Sequence, residues 1–291
     1  MDPRRVLTFR AVAHKRSFSA AARALSLTQP AVSQQVAALE TEVGARLIDR
    51  RPGGLELTPA GRTLLVHADA LADLLQLAET QLAELSGDER LRIGAFQSAL
   101  AALVPEAVRR LRRDMPEVEV QVQEGDSQAL AARVRAGELH LSVAFQDAAL
   151  PRREHDGLQR HDLLREPFLV GLSPEHRLAG EETIELGQLA GDPWSAASTD
   201  GLIARACHAA GFEPRIVALT RDPIAIREFV ARGTAVTLIP RLLAPGLDGV
   251  AFARLADAPQ RDVYVVLPPG GRHPLVEPTL NALAEVASEL A

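Results

Sequence analysis

Gln29, Ser33 and Gln34 fall within six residues of one another, with Thr28 and Pro30 beside them. Two amides and two hydroxyls without a charge make poor acid, base or metal-ligand groups. They are well suited to reading the hydrogen-bonding edges of bases in a major groove. Arg50 and Arg51, some sixteen residues on, are of the type that contacts phosphates or a narrow minor groove. Elsewhere the reactive residues do not assemble. Cys207 and His208 are adjacent on a predicted helix, so their side chains diverge by about 100° and cannot form a nucleophile pair. A half-buried core thiol is the plainer reading of Cys207. The eight histidines show no metal-ligand spacing with cysteine or paired carboxylates. There is no Gly-x-Ser-x-Gly elbow, P-loop or dinucleotide glycine fingerprint.

The elements that would carry the polar set are two short helices in the stretch SFSAAARALSLTQPAVSQQVAALETEVG, Ser17 to Gly44. Ser19 is expected to cap the first helix, with Ala21, Ala22 and Leu25 on its apolar side. Ser26-Leu27 makes the turn. Thr28 caps the second helix and Pro30 sits in its first turn, where a missing N–H costs nothing. Val32, Val36, Leu39 and Val43 follow a 4-3-4 spacing and share one face. Pro30, Gln34, Ala37 and Thr41 lie opposite, with Ser33 on the flank. A solvated outer face of an ordinary helical hairpin is the plainer alternative.

The stretch resembles the helix-turn-helix of the LysR-type transcriptional regulators, in Ser17, Phe18, Ser19, Ala21, Ala22, Leu25, Thr28, Gln29, Pro30, Ala31, Val32, Ser33, Leu39, Glu40, Gly44 and Leu47. Leu57-Thr58-Pro59-Ala60-Gly61 resembles the start of the family's linker. Ile48-Asp49 departs from it, where Phe and a charged residue are usual. The resemblance implies DNA contact by Ser19, Thr28, Gln29, Pro30, Ser33, Gln34, Arg50 and Arg51.

Composition agrees with a chain that presents one end to DNA. Residues 1–62 hold 10 Lys+Arg against 5 Asp+Glu, and the remainder 22 against 33, a basic head on an acidic body. At 291 residues and 47% hydrophobic content there is room for about two domains with real cores, built from Leu, Val and Ala because only 3% is aromatic. A single cysteine excludes an internal disulfide framework. Arg4, Arg5 and Arg10 interrupt any apolar signal core, and no apolar run approaches the ~20 residues of a membrane span. A cytoplasmic location is expected.

Asp2-Pro3 reads as the cap and first residue of a helix running through Val6, Phe9 and Ala13. Ala45 to Arg50 and Leu55 to Thr58 read as the two strands of a wing, turning at Pro52-Gly53-Gly54. Thr58-Pro59 opens a helix to about Leu85, with Leu64, Ala68, Leu71, Leu75, Ala78, Leu82 and Leu85 alternating spacings of 4 and 3. Such a seam fits pairing with a second copy; packing on the chain's own core is the alternative. Ser86-Gly87-Asp88 would be a hinge.

From Leu91 strands alternate with helices, as a βαβαβ series with a parallel sheet. A second series begins near Leu163, and Val263 to Leu267 leads back. Two lobes with crossings near Leu164 and Val266 resemble the family's effector domain, which has the periplasmic-binding-protein architecture. Ser173 to Ala179 and Gly233 to Pro240 resemble two of its loops, with Arg177 and Ala235 as departures. The expected fold class is multidomain: an all-α winged helix-turn-helix domain (1–58), a linker helix (59–87) and a two-lobed α/β domain (88–291, lobes 88–163 with 267–291, and 164–266).

In open α/β sheets ligands sit beyond the carboxyl ends of strands. That rule selects Phe96, Gln97, Ser98, Gly125 and Phe145 on one lobe, and Ala197, Ser198, Thr199, Thr220 and Arg221 on the other. Ser98 at a helix start would favour an anion; Glu124 and Asp126 oppose one unless Arg221 offsets them. The expected function is a DNA-binding transcription regulator, not an enzyme, that senses a small-molecule effector and uses no cofactor or metal. Its expected partners are promoter or operator duplex DNA, a second copy in a dimer or tetramer, and RNA polymerase. The rivals are a cytosolic solute-binding protein or an enzyme on the same two-lobed fold.

Overall fold

Asp2 opens helix α1 (Pro3–Lys15): its carboxylate accepts the Arg4 N–H at 2.9 Å, and Pro3 stands where no N–H is needed. The computed structural model describes residues 1–51, 54–85, 90–155, 157–269 and 273–290. It divides into two units, Met1–Ser86 and Gly87–Ala291.

In the first unit, α2 (Phe18–Ala24) is capped by Ser17, whose Oγ accepts the Ala20 N–H at 3.2 Å. The expected cap, Ser19, lies inside the helix and is exposed, because the extended backbone that a cap requires is at Ser17. Ser26, in the left-handed region at φ 54°, turns the chain, and the Leu27 N–H closes on the Ala22 carbonyl at 2.9 Å. Helix α3 (Gln29–Val43) starts on Thr28 and stops at Gly44, φ 72°. Val32, Val36 and Leu39 pack with Phe9, Val12, Ala21 and Leu47. Val43 does not join them; it is exposed in the last turn before the glycine stop.

Strands β1 (Ile48–Arg51) and β2 (Gly54–Leu57) pair antiparallel, Ile48 opposite Leu57. The expected turn residues Pro52 and Gly53 lie outside the described residues. Glu40 fixes this wing to α3: its Oε1 accepts the N–H groups of Leu47 and Ile48 at 2.7 and 3.2 Å. Helix α4 (Pro59–Leu85) follows Thr58, whose hydroxyl donates to the Arg46 carbonyl at 2.7 Å and accepts the Gly61 N–H at 3.0 Å. At Gly61 a Cβ would meet the Leu47 carbonyl oxygen at 2.1 Å, so only glycine lets α4 lie this close.

The heptad seam divides. Ala68 is fully buried, and Leu64 and Leu71 pack on the core of the head. Leu75 and Leu82, further along, are 44% and 64% exposed. Arg10 and His14 reach Asp69 on the same helix at 2.6 and 2.8 Å. The hinge expected at Ser86-Gly87-Asp88 lies outside the described residues.

The second unit begins with β3 (Leu91–Ala95), α5 (Gln97–Ala102), α6 (Val104–Asp114), β4 (Val120–Glu124), α7 (Ser127–Arg135) and β5 (Leu141–Asp147). The helix expected over 99–113 is two helices, because Pro105 opens a new one at Val104. Strands β4, β3 and β5 run parallel, with Leu91 beside Val120 and Ile93 beside Leu141. Strand β6 (Gln159–Leu172) then spans both lobes. The second lobe contains β7 (Thr183–Ile184), β8 (Pro193–Ala196), α8 (Leu202–Ala209), β9 (Arg215–Leu219), α9 (Pro223–Ala231), β10 (Thr237–Pro240) and β11 (Ala251–Leu255). The chain returns through β12 (Gln260–Leu267) and ends on α10 (Val276–Leu290).

Up to Pro167, β6 pairs with β12; from Phe168 onward it pairs with β10 and β11. The crossings are therefore near Pro167 and Pro259, where the Phe168 N–H donates to the Pro259 carbonyl at 2.9 Å. The return expected near Val266 is corrected: all of β12 pairs with β5 and β6 in the first lobe. Val263 to Val266 are fully buried, as a strand at the centre of the larger sheet requires.

Candidate DNA-reading face and interlobe cleft

Helix α3 presents two unlike faces. Val32 and Leu39 are wholly buried and Val36 nearly so, while Pro30, Gln34, Ala37 and Thr41 are exposed. Thr28 and Gln29 are exposed at its start and Ser33 is half-buried on the flank. Gln29 Nε2 donates to Ser33 Oγ at 2.9 Å, which joins two of the candidate reading groups one turn apart. The outer face carries amides and hydroxyls and no ionised group that would repel or over-bind phosphate. Arg50 and Arg51 belong to β1, next to the turn of the wing; their side chains lie outside the described residues.

The first-lobe candidates gather at the carboxyl ends of adjoining strands. Phe96 and Gln97 follow β3, and Gly125 follows β4, held beside them by its N–H on the Ala95 carbonyl at 3.2 Å. A Cβ on Gly125 would meet Leu130 Cδ2 at 2.9 Å. Phe145 is near the end of β5, and its ring meets Phe96 edge-on at 4.8 Å. Ser98 is buried. Its Oγ accepts a hydrogen bond from Arg261 Nη2 at 2.7 Å. Helix α5, six residues long, offers no extended dipole for an anion, so the expected role of Ser98 passes from helix terminus to hydroxyl.

Arg261 was not anticipated. It is nine-tenths or more buried, stacked over Phe96 and Phe145 at 4.9 Å from each centroid, with Phe168 at 5.7 Å. Burial pushes its guanidinium below the usual arginine range, and the Glu166 charge opposes that shift. Glu166, wholly buried, accepts from Arg261 at 2.6 Å and takes the Leu242 N–H on its other oxygen at 2.7 Å. A signal did exist in the sequence. Leu164, Glu166 and Phe168 alternate onto one face of a strand, which puts a carboxylate where only a paired one is tolerated.

The second-lobe candidates also adjoin. Ala197 to Thr199 follow β8 and Thr220-Arg221 follow β9; these strands are parallel neighbours, and the Thr220 N–H donates to the Ala196 carbonyl at 2.9 Å. Ala197, Thr199 and Arg221 are exposed, while Ser198 and Thr220 are half-buried. Thr220 Oγ1 accepts the Asp222 N–H at 3.1 Å, a local turn bond. The two lobes meet through Asp147 and Arg205, 2.7 Å apart. Neither residue stood out in the sequence. Among the described residues no group of three or more His, Cys, Asp or Glu could hold a metal ion. No helix there is long and apolar enough to cross a membrane.

Residues 3–62 match the family described as bacterial regulatory helix-turn-helix protein, lysR family, and residues 84–288 match the LysR substrate binding domain. The chain is a LysR-type transcriptional regulator. It is similar to the small neutral protease regulatory protein of Streptomyces coelicolor, 33% identical over 285 residues, 94% of this chain and 88% of that one. It is also similar to the HTH-type transcriptional regulator AlsR of Bacillus subtilis (strain 168), 30% identical over 250 residues, 82% of this chain and 80% of the other. CbnR, solved in complex with its target DNA, has the same fold over the whole of both chains, with a TM-score of 0.60 at 23% identity. The LysR-type regulator thus joins a winged helix-turn-helix DNA-binding domain to a two-lobed effector-binding domain. Its family and relatives regulate transcription and are not enzymes.

Proposed function

We propose that this regulator reads duplex operator DNA with the outer face of α3 and changes its effect on transcription when a small polar molecule occupies the interlobe cleft. The observation that carries the first half is the division of α3 into a buried apolar face and an exposed, uncharged polar one. Gln29, Ser33 and Gln34 take base edges. Ser19, Thr28 and Pro30 fit the helix against the groove, and Arg50 and Arg51 hold phosphate or groove walls. Residues 1–58 are assigned to DNA, 59–87 to a linker helix that pairs two copies, and 88–291 to the effector.

For the effector, Ser98 supports a ligand with a hydrogen-bond acceptor, an anion in the simplest case. Its oxygen already accepts from Arg261, which leaves the hydroxyl proton to be given. Thr199, with Ala197 and Ser198, supplies the facing side; Phe96, Gln97, Gly125, Phe145, Thr220 and Arg221 complete the lining. The protein works in the cytoplasm as a dimer or a pair of dimers and acts on RNA polymerase from its operator.

The test is retardation of DNA taken from upstream of its own gene by the full-length protein. Calorimetry with candidate metabolites then follows, on the wild type and on Ser98→Ala and Thr199→Val. Sequence-selective retardation, and ligand binding weakened by both substitutions, is the expected result. Absence of any preference for the upstream DNA, or ligand binding indifferent to both changes, contradicts the assignment.

A further inference from the structure

Four charged residues form a line that leaves the first lobe and ends in the second. On β12, Arg261 stands in register opposite Glu166 of β6 on one side and Asp147 of β5 on the other. Directly opposed residues of antiparallel strands share a face, so the row reads minus, plus, minus. The Glu166–Arg261 half is sealed inside the protein. Asp147 faces the second lobe. Its Oδ1 accepts the Ala149 N–H at 3.0 Å and its Oδ2 accepts Arg205 Nη2 at 2.7 Å. Arg205 belongs to α8, and its Nη1 donates to the Asp200 carbonyl at 3.2 Å. One guanidinium thus holds both the 197–201 loop and a carboxylate of the opposite lobe. The Asp147 side chain is 14% exposed and that of Arg205 49%, so the pair is partly screened by solvent.

We propose that Arg205 is a positioning residue of the effector cleft: it ties the loop carrying Ala197, Ser198 and Thr199 to Asp147 and biases the ligand-free lobes toward each other. The inference rests on the cleft reading given above. A ligand moves the lobes only by its differential affinity for their arrangements. Arg205 supplies part of that bias before any ligand arrives, without belonging to the lining.

Hydrogen exchange of the ligand-free, full-length protein tests it, followed on peptides covering the 197–201 loop and the turn after Asp147. Arg205→Gln and Asp147→Asn are each expected to speed exchange about two- to fivefold in both segments, the range of a partly screened ion pair. The double variant gives no more than Arg205→Gln alone, since that change already removes the ion pair that Asp147→Asn breaks. Arg205→Lys restores part of the protection. Raising salt from about 0.05 to 0.5 M speeds exchange in the wild type and leaves Arg205→Gln unchanged. Faster exchange confined to the 197–201 loop would reduce Arg205 to a local brace and overturn the proposal, as would additive effects or none. No ligand enters this measurement, so its failure is distinct from failure of the cleft reading, which the Ser98→Ala and Thr199→Val titrations decide.

Discussion

Arg261 and Glu166 form an ion pair at 2.6 Å, with side-chain exposures of 5% and 0%, at the point where the chain crosses between lobes. A pair so deeply buried is tolerated only when its charges have further partners, here Ser98 Oγ on the guanidinium, the Leu242 N–H on the carboxylate and three phenylalanine rings around Arg261. Glu166→Ala strands a buried cation and is expected to cost about 3–5 kcal/mol. Replacing both partners, as Glu166→Leu with Arg261→Met, is expected to cost less than that single change. Urea unfolding followed by the fluorescence of Trp194, the one tryptophan, reads the second unit directly. A loss below about 1 kcal/mol for Glu166→Ala would contradict this account of the crossing.

In the head, Gly61→Ala sets a methyl against the Leu47 carbonyl, a backbone atom that cannot rotate away. The expected cost is about 1–3 kcal/mol of head stability with loss of operator binding, since Leu47 and Ile48 also carry the bonds that fix the wing to Glu40. Thermal unfolding together with a DNA titration checks both. A variant that melts and binds like the wild type would show that α4 can lift off Leu47 at no cost.

The proposed pairing of two chains through α4 is best tested away from the head's own core. Leu71 packs on that core, so an aspartate there would unfold the head and say nothing of assembly. Leu75 is exposed within one chain, and Leu75→Asp is expected to keep the head folded while light scattering shows a smaller particle and operator binding falls. An unchanged mass would remove this part of the seam from the interface.

Cys207 is fully buried, and burial pushes its thiol up to about 11. At pH 8 the thiolate is then about one part in a thousand, and the side chain reaches no solvent. Iodoacetamide is expected to label it about a hundredfold more slowly in the native protein than in denaturant. Comparable rates would mean the second lobe opens readily, and would reopen a thiol-based role for this residue.

The sequence was most legible where local chemistry decides. Asp2-Pro3, Thr28 and Thr58-Pro59 open helices as their types require, and the 4-3 spacing of α3 marks its buried face as far as Leu39. It was less so where two residues could serve. Ser17 and Ser19 are both capping types, and only the backbone decides between them. The seam of α4 carries one spacing throughout, yet its first half serves the head and its second half does not, because packing depends on what lies opposite. The Glu166–Arg261 pair and the Asp147–Arg205 pair are separated by 95 and 58 residues, and no local pattern joins them. The first is a product of strand register, which the strand sequences constrain only through alternation, and the second joins the end of β5 to a helix of the other lobe.

The central claim is that the exposed face of α3 reads sequence. It is tested most directly by titrating full-length wild type and Gln34→Ala against operator and random duplexes at several salt concentrations. The expected result is a loss of about 1–3 kcal/mol on the operator alone, with the random-DNA affinity and the salt slope unchanged. An equal loss on both duplexes would make Gln34 a backbone contact and contradict the reading of that face.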